Sequence, residues 1–422
     1  MVDTVSLSYG KEKVQLSLEN LNLLDVLKLA EVSPIKDPVS SLKVALANPI
    51  GSPPLKEVVK AGDKVAIIVN DDTRIANTSF FLPYIFKDIE GEGVEREDIY
   101  IVFANGTHRL LSEEKQKEIL GEEIYKNYRI INHDCHDKEN LVYVGETSRG
   151  NKVEINRYVV EADKVILTGS IVYHFFVGYG GGRKAVVPGV AAYDTIRFNH
   201  SFMLKDGAEI GNLTGNPVHE DILEAVRFVN PDFLLNVVLN DKKEFLGFFT
   251  GDYIKAHAEG CRMVDKAYGI PIAERAELVI ASCGGHPKDL NLYQAQKTLD
   301  NAVRAVSPGG VIILLAKCPE GLGSATLEEW LDKYSTPEEV YEAVRSDFVI
   351  GGHKAYALTR LTQEARIIMV TDLPAETVKK VHYTHASNIT EAMDLARNFL
   401  GKEKPSAYIM PQASLTLPLS DS

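Results

Sequence analysis

Residues 4–8 and 13–18 alternate apolar and polar positions on either side of Tyr9-Gly10-Lys11, which predicts an antiparallel hairpin at the start of the chain. Beyond it, short apolar β-rich runs alternate with stretches of helical spacing. Residues 65–69 predict a strand, followed by a polar turn and a helix around 80–89. A second strand at 99–104 leads into Asn105-Gly106-Thr107-His108 and a helix from about Ser112. A third at 164–168 leads through 170–174 into a glycine-rich loop and a helix at 192–200. Strands and helices in alternation are the pattern of parallel βαβ units. Residues 268–275 (YGIPIAER) read as a junction, after which the alternation restarts. Strands are predicted at 277–281, 311–316 and 407–410, helices at 293–306 and 388–400, and a turn at Ser307-Pro308-Gly309-Gly310. The pattern therefore predicts an α/β fold of two domains, each a largely parallel sheet with flanking helices. Residues 1–270 form the larger, 271–410 a smaller doubly wound domain, and 411–422 a polar, irregular tail.

A length of 422 residues agrees with two domains, since one core rarely organises so long a chain. Hydrophobic residues at 45% and charged residues at 25% are ordinary for a globular protein. The net charge of −13 argues against a nucleic-acid or anionic-membrane surface, but leaves room for a locally positive pocket. The first 18 residues carry charges where a signal peptide needs an apolar core, and no window approaches the ~20 apolar residues of a membrane span. Cys135, Cys261, Cys283 and Cys318 are too few and too scattered for a disulfide framework, which points to the cytoplasm.

Open parallel sheets bind ligands beyond the carboxyl ends of their strands. Four predicted strand ends carry polar clusters: Asn70-Asp71-Asp72-Thr73-Arg74, Asn105-Gly106-Thr107-His108-Arg109, Tyr173-His174, and Ser282-Cys283-Gly284-Gly285-His286. Together they predict one shared cleft between the domains. His108 and His174 follow different strands, and imidazoles can give or accept a proton near neutrality, so they are a candidate acid/base pair. Either one alone is equally a loop cap. In Gly180-Gly181-Gly182-Arg183-Lys184, three glycines would let backbone N–H groups approach an oxyanion, and the two cations would add charge to a phosphate cradle. A flexible turn would read the same way. Lys184, beside an arginine, is pushed toward its neutral, nucleophilic form. Asp71, Thr73 and Arg74 suit a carboxylate or hydroxyl site, or equally a helix cap.

In the second domain Tyr293, Gln294 and Lys297 begin a helix, with Tyr293 and Lys297 on one face, as a carboxylate site or a solvated helix would have. His133-Asp134-Cys135-His136 lacks the spacing of a zinc site, and His200 stands alone on its helix. Two other readings follow from these features. One is a non-catalytic nucleotide- or nickel-binding protein that leaves His108 and His174 idle. The other is a metal hydrolase built on the 133–136 cluster.

The ordered set Asp71-x-Thr73-Arg74, Gly106-Thr107-His108-Arg109, Tyr173-His174, the loop 180–184 with Ala185-Val186-Val187-Pro188-Gly189, Asn199-His200, Gly215-Asn216-Pro217-Val218-His219-Glu220-Asp221 and 293–297 resembles the nickel-pincer lactate racemase family over nearly the whole chain. The resemblance implies a racemase or epimerase inverting C2 of a small 2-hydroxy acid by proton-coupled hydride transfer. It implies a pyridinium-dithiocarboxylate mononucleotide bearing nickel, joined to Lys184 through a thioamide, with His200 the protein ligand to the metal. Asp71, Thr73, Gly180, Gly181, Gly182 and Arg183 would hold the cofactor, and His108 and His174 would move protons. Arg74, Tyr293, Gln294 and Lys297 would seat the substrate. Partners would be the hydroxy acid and, transiently, cofactor-maturation proteins, with neither nucleic acid nor membrane. Where the family places a tryptophan near the cofactor, this chain has Tyr356, its only tryptophan being Trp330, which implies another or larger 2-hydroxy acid.

Overall fold

The apolar runs become two six-stranded sheets, each with its own core, in a computed structural model that describes residues 4–29, 31–349 and 351–420. The chain divides into two units. One is Val32–Lys266; the other joins the segment ending at Glu31 to the chain from Ala267 onward.

In Val32–Lys266 the strands lie in the order Phe245–Gly251, Phe233–Leu239, Lys164–Ser170, Val65–Asn70, Ile99–Ala104, Arg129–Asn132. Every neighbouring pair is parallel except the first. Residues 65–69 are buried on both faces, which explains their unbroken apolar run. The helix Thr78–Gly91 packs Phe81, Leu82, Ile85 and Ile89 into the same core. Burying each such side chain stabilises by about 1.5–3 kcal/mol. From Val65–Asn70 the chain steps to one side through Ile99–Ala104 and Arg129–Asn132, then resumes on the other side at Lys164–Ser170. That reversal opens a crevice at the carboxyl ends of the two central strands.

The second unit orders its strands Thr384–Ala386, Arg366–Val370, Val306–Leu315, Ala276–Ser282, Ser406–Met410, Asn22–Val26, all parallel. Three sequence expectations are corrected here. The N-terminal segment does not belong with the domain that follows it. Asn22–Val26 completes the edge of the C-terminal sheet, and the hairpin Thr4–Tyr9 and Glu12–Ser17 packs Leu7, Tyr9 and Leu16 into that unit's core. The tail is not irregular, because Leu417–Ser420 pairs in parallel with Gly269–Ile272. The predicted turn at 307–310 lies inside the strand Val306–Leu315, where the register shifts between Ala276 and Leu278.

The hairpin turn also fills the carboxyl end of this sheet. The Ser282 hydroxyl donates to the Ser8 carbonyl at 2.5 Å, the Gly10 amide to Asp289 Oδ2 at 2.6 Å, and the His286 amide to the Gly10 carbonyl at 2.8 Å. All four cysteines are buried thiols, and no helix among the described residues is long and apolar enough to cross a membrane.

Candidate active site

Three consecutive strands in space, Lys164–Ser170, Val65–Asn70 and Ile99–Ala104, end in the loops bearing His174, Asp71 and His108. Strands lie about 4.8 Å apart, so the two outer loops start about 10 Å from each other. A small organic acid spans such a gap. After the central strand, the Asp71 carboxylate is turned to its neighbours. Its Oδ1 accepts from the Thr73 amide at 3.1 Å and the Thr73 hydroxyl at 2.7 Å, and its Oδ2 meets His108 Nδ1 at 2.5 Å. Burial would raise the Asp71 pKa, but the contacts with His108, Thr73 and Arg74 outweigh it and hold the carboxyl below its ordinary range. An ionised carboxylate only accepts, so His108 carries a proton on Nδ1 and presents Nε2 as a proton acceptor. The His108 side chain is 47% exposed, against 3% for Asp71, so a buried anion orients an accessible base. Asp71 and Thr73, expected among the cofactor ligands, are thus engaged in holding His108. Arg74 is exposed beside them, its guanidinium on the Thr73 carbonyl at 3.1 Å.

His174 sits on a two-residue ladder, Tyr173–His174 against Gly178–Tyr179. Its ring meets Phe176 edge-on with centroids 4.7 Å apart, and the far contact of Phe176 is the ring of His200 at 5.0 Å. One aromatic ring therefore links the candidate base to the candidate metal ligand. His200 is half-buried near the end of the helix Tyr193–Ser201. That helix is anchored by Asn199, whose amide donates to the fully buried Asp221 at 2.8 Å. Asp221 also accepts from Thr147 at 2.6 Å and Asn151 at 2.9 Å, so the 215–221 motif braces the helix and its Asn216 caps the next one.

The loop 180–184 differs from the expected phosphate cradle. The Gly180 amide donates to the Val172 carbonyl and the Gly182 amide to Asn236 Oδ1, both at 2.7 Å. A side chain on Gly182 (φ +55°) would collide with the His257 ring, so the glycines permit close packing against the protein itself. Arg183 also turns inward. Only 1% exposed, it donates to His219 Nδ1 at 2.8 Å and to the Val177 carbonyl at 3.1 Å, and meets His257 Nε2 at 3.0 Å. Burial and the guanidinium lower the pKa of His219 to about 2 and of His257 to about 3, so both rings are neutral. Arg183 thus braces the loop, its guanidinium directed to these internal partners. Lys184 then follows in a 3-10 turn, Gly182–Ala185, and is only partly covered. Burial first, then the charges of Arg74 and Arg183, hold its amine well below the ordinary lysine range. Both influences favour the neutral, nucleophilic form of the amine.

In the other unit, Asn291 caps the helix Leu292–Ala302 by accepting from the Gln294 amide, and Gln294 and Lys297 are exposed. Tyr293 lies under the Lys354 ammonium, 4.9 Å from its ring centroid, and Lys354 donates to Gln296 at 2.7 Å. Within segment 353–356, Lys354 is thus seated against Tyr293. Tyr356 packs on Tyr341, with centroids 5.8 Å apart. Trp330 lies in the core against Gly352.

The 133–136 cluster does not converge on a point. His133 is buried on Asn156 and the Ala191 carbonyl, its pKa lowered to about 4 by burial, whereas His136 stacks on Tyr193. Among the described residues no group of three or more metal-ligating side chains is assembled. Sequence reasoning missed Asn236, an isolated polar residue in an apolar strand, and His257 and Asp265, which lie among other polar residues of an amphipathic helix. Only their contacts with the loop 173–183 mark them out.

Comparison with known proteins gives consistent matches along the chain. The family profile "Lactate racemase N-terminal domain" matches residues 9–211, and "Lactate racemase C-terminal domain" matches 272–415. A lactate racemase of Thermoanaerobacterium thermosaccharolyticum is 32% identical over 409 residues, 94% of this chain and 95% of that protein. One from Lactiplantibacillus plantarum is 31% identical over 402 residues, 93% and 94% of the two chains. The lactate racemase apoprotein structure from T. thermosaccharolyticum superposes with a TM-score of 0.90 at 30% identity, covering 99% of this chain and 100% of that one. A Thermotoga maritima protein shares the fold at a TM-score of 0.62 and 19% identity, over 87% and 96% of the two chains.

Proposed function

The chain belongs to the lactate racemase family, and from that premise we propose that it inverts C2 of a small 2-hydroxy acid, lactate or a close relative. One observation carries this reading. Two histidines follow the strands on either side of the strand that leads into Asp71, and one of them is held by an ionised carboxylate as a proton acceptor. Inversion needs proton transfer on both faces of the substrate, and this arrangement supplies a group for each.

The site chemistry also fits the nickel-pincer nucleotide. Lys184 offers the neutral amine that a covalent thioamide link requires, and His200 a partly accessible imidazole for the metal. Gly180, Gly182 and Arg183 serve the attachment by fixing Lys184, with their donors engaged inside the protein. When bound, the cofactor supplies a reversible acceptor for the α-hydrogen as hydride, which is needed because the α C–H of a carboxylate is a very poor acid. Arg74 pairs with the substrate carboxylate through its planar guanidinium, and Tyr293, Gln294 and Lys297 are the further substrate-binding residues of this reading. His108 Nε2 takes the hydroxyl proton of one enantiomer, and the positive charge formed on its ring is stabilised by Asp71. The planar 2-keto acid then turns its other face, and His174 returns a proton to the oxygen. For the opposite enantiomer the two histidines exchange roles. The four scattered cysteines, all free thiols, support a cytoplasmic protein, and its transient partners in this reading are the cofactor-maturation proteins.

Two measurements test this. Protein from a host that makes the cofactor is analysed by intact mass and peptide mapping, with the added mass expected on Lys184 and one nickel per chain. Loss of optical rotation is then followed with single enantiomers of lactate and larger 2-hydroxy acids. Loaded protein that racemises none of them would sink the assignment.

A further inference from the structure

The hairpin that carries His174 is clasped by a carboxylate from a distant helix. Asp265 Oδ1 accepts from the Tyr173 hydroxyl at 2.7 Å and from the Tyr179 hydroxyl at 2.6 Å. These tyrosines face each other across the ladder, their rings 5.3 Å apart, and the other pair of the same ladder is His174 with Gly178. Asp265 is therefore bound to both strands at the rung next to His174. A two-rung ladder has little stability of its own, since even isolated hairpins are marginal in water. Something outside it must fix its orientation.

The same helix, Lys255–Tyr268, grips the loop at a second point. His257 Nε2 bonds to the Gly180 carbonyl at 2.8 Å and contacts Arg183. Residues 257, 261 and 265 recur every fourth position, so one helix face holds both ends of the segment 173–183. The position of Gly178 (φ +83°) allows no slack, because a Cβ there would lie 2.1 Å from the Asn212 carbonyl oxygen.

We infer that Asp265 is a positioning residue for His174: by clasping Tyr173 and Tyr179 it sets where the His174 imidazole stands relative to the substrate. This rests on the proposed role of His174 as an acid/base. Asp265 touches no reacting atom. A displacement of about 1 Å in a catalytic group can cost on the order of a hundredfold in rate, so the clasp matters to turnover even though it lies behind the site. Both donors are neutral hydroxyls sharing one oxygen, which means that the clasp needs an acceptor at that point and not a charge.

The test compares Asp265→Ala with Asp265→Asn, whose amide oxygen can accept both hydroxyls. The first readout needs no cofactor. Imidazole resonances of histidine-labelled apoprotein are assigned with His174→Gln and His108→Gln. In Asp265→Ala the His174 signals are expected to shift and broaden while those of His108 stay in place; in Asp265→Asn both stay near their wild-type positions. The second readout is the loaded enzyme, where Asp265→Ala is expected to lower kcat at least tenfold with KM within twofold, and Asp265→Asn to restore most of it. If Asp265→Ala does not fold, the double variant Tyr173→Phe with Tyr179→Phe removes the donors, keeps the rings and asks the same question. An unmoved His174 signal overturns the proposal, as does uniform movement of all histidine signals. Absence of racemase activity in loaded wild-type protein would instead defeat the functional reading, leaving the resonance comparison to decide the clasp by itself.

Discussion

Asp71 and Arg183 are both buried charged residues beside the site, and they act in opposite directions. Asp71 is paired, so its charge is directed outward through His108. Replacing it by Asn keeps the shape but removes the ionised acceptor that fixes the His108 proton on Nδ1. We expect Asp71→Asn to lower kcat by on the order of 10²–10³ with little change in KM or cofactor mass on Lys184. A variant within threefold of wild type would take Asp71 out of the mechanism. Arg183 has no carboxylate partner among its hydrogen bonds; its guanidinium donates to the Val177 and Gly181 carbonyls and to His219, and lies against the neutral His257 ring. Arg183→Met leaves these acceptors unsatisfied, each at about 1–3 kcal/mol, so urea unfolding should show a loss of several kcal/mol. Unchanged stability with impaired cofactor retention would restore the phosphate reading. Nothing in the sequence separates these two cases. An arginine after three glycines looks like an anion ligand, and only the placement of His219 and His257, 36 and 74 positions away, shows it facing inward.

The central elements of the first sheet were legible because a strand buried on both faces writes itself as an unbroken apolar run. Ser112 and Asn388 likewise announced the helices they cap. The strand through Ser307-Pro308-Gly309-Gly310 was not legible, since turn-forming residues there serve a register shift beside Glu277. The histidines that brace the first unit make a prediction about its elements. His133, His219 and His257 titrate at about 4, 2 and 3 when folded, all below the ordinary 6.5. Between those values the unfolded chain binds protons that the folded chain does not, so stability falls as pH drops below about 6.5. Each histidine contributes up to about 1.4 kcal/mol per pH unit. The urea midpoint of this unit should therefore decrease from pH 7.5 to 5.5, and His133→Gln should flatten the slope. A midpoint independent of pH over that range would show that these rings are not held neutral.

On the scale of the whole chain, sequence order and spatial order disagree, and the disagreement is physical. A parallel sheet needs its edge covered or completed, and Asn22–Val26 completes the edge beside Ser406–Met410 although nearly four hundred residues separate them. The hairpin before it contributes Leu7, Tyr9 and Leu16 to the same core, and its turn is held by Asp289 and the His286 amide a few residues before the helix of Tyr293, Gln294 and Lys297. No local pattern near residue 20 reports such a partner, so a boundary drawn along the sequence assigns the segment to the wrong unit. The consequence can be tested in the full-length protein. Leu7→Asp places a charge in a fully buried site of the second core. Hydrogen exchange followed by mass spectrometry should then show lost protection across 276–282 and 406–410, while the strands at 65–70 and 164–170 keep theirs. Substrate affinity should weaken before Lys184 loses its capacity to carry the cofactor, because the helix bearing Lys297 belongs to the perturbed unit and Lys184 does not. Equal loss of protection in both sheets would mean that the two units unfold as one cooperative body and that the N-terminal segment stabilises the first unit as much as the second.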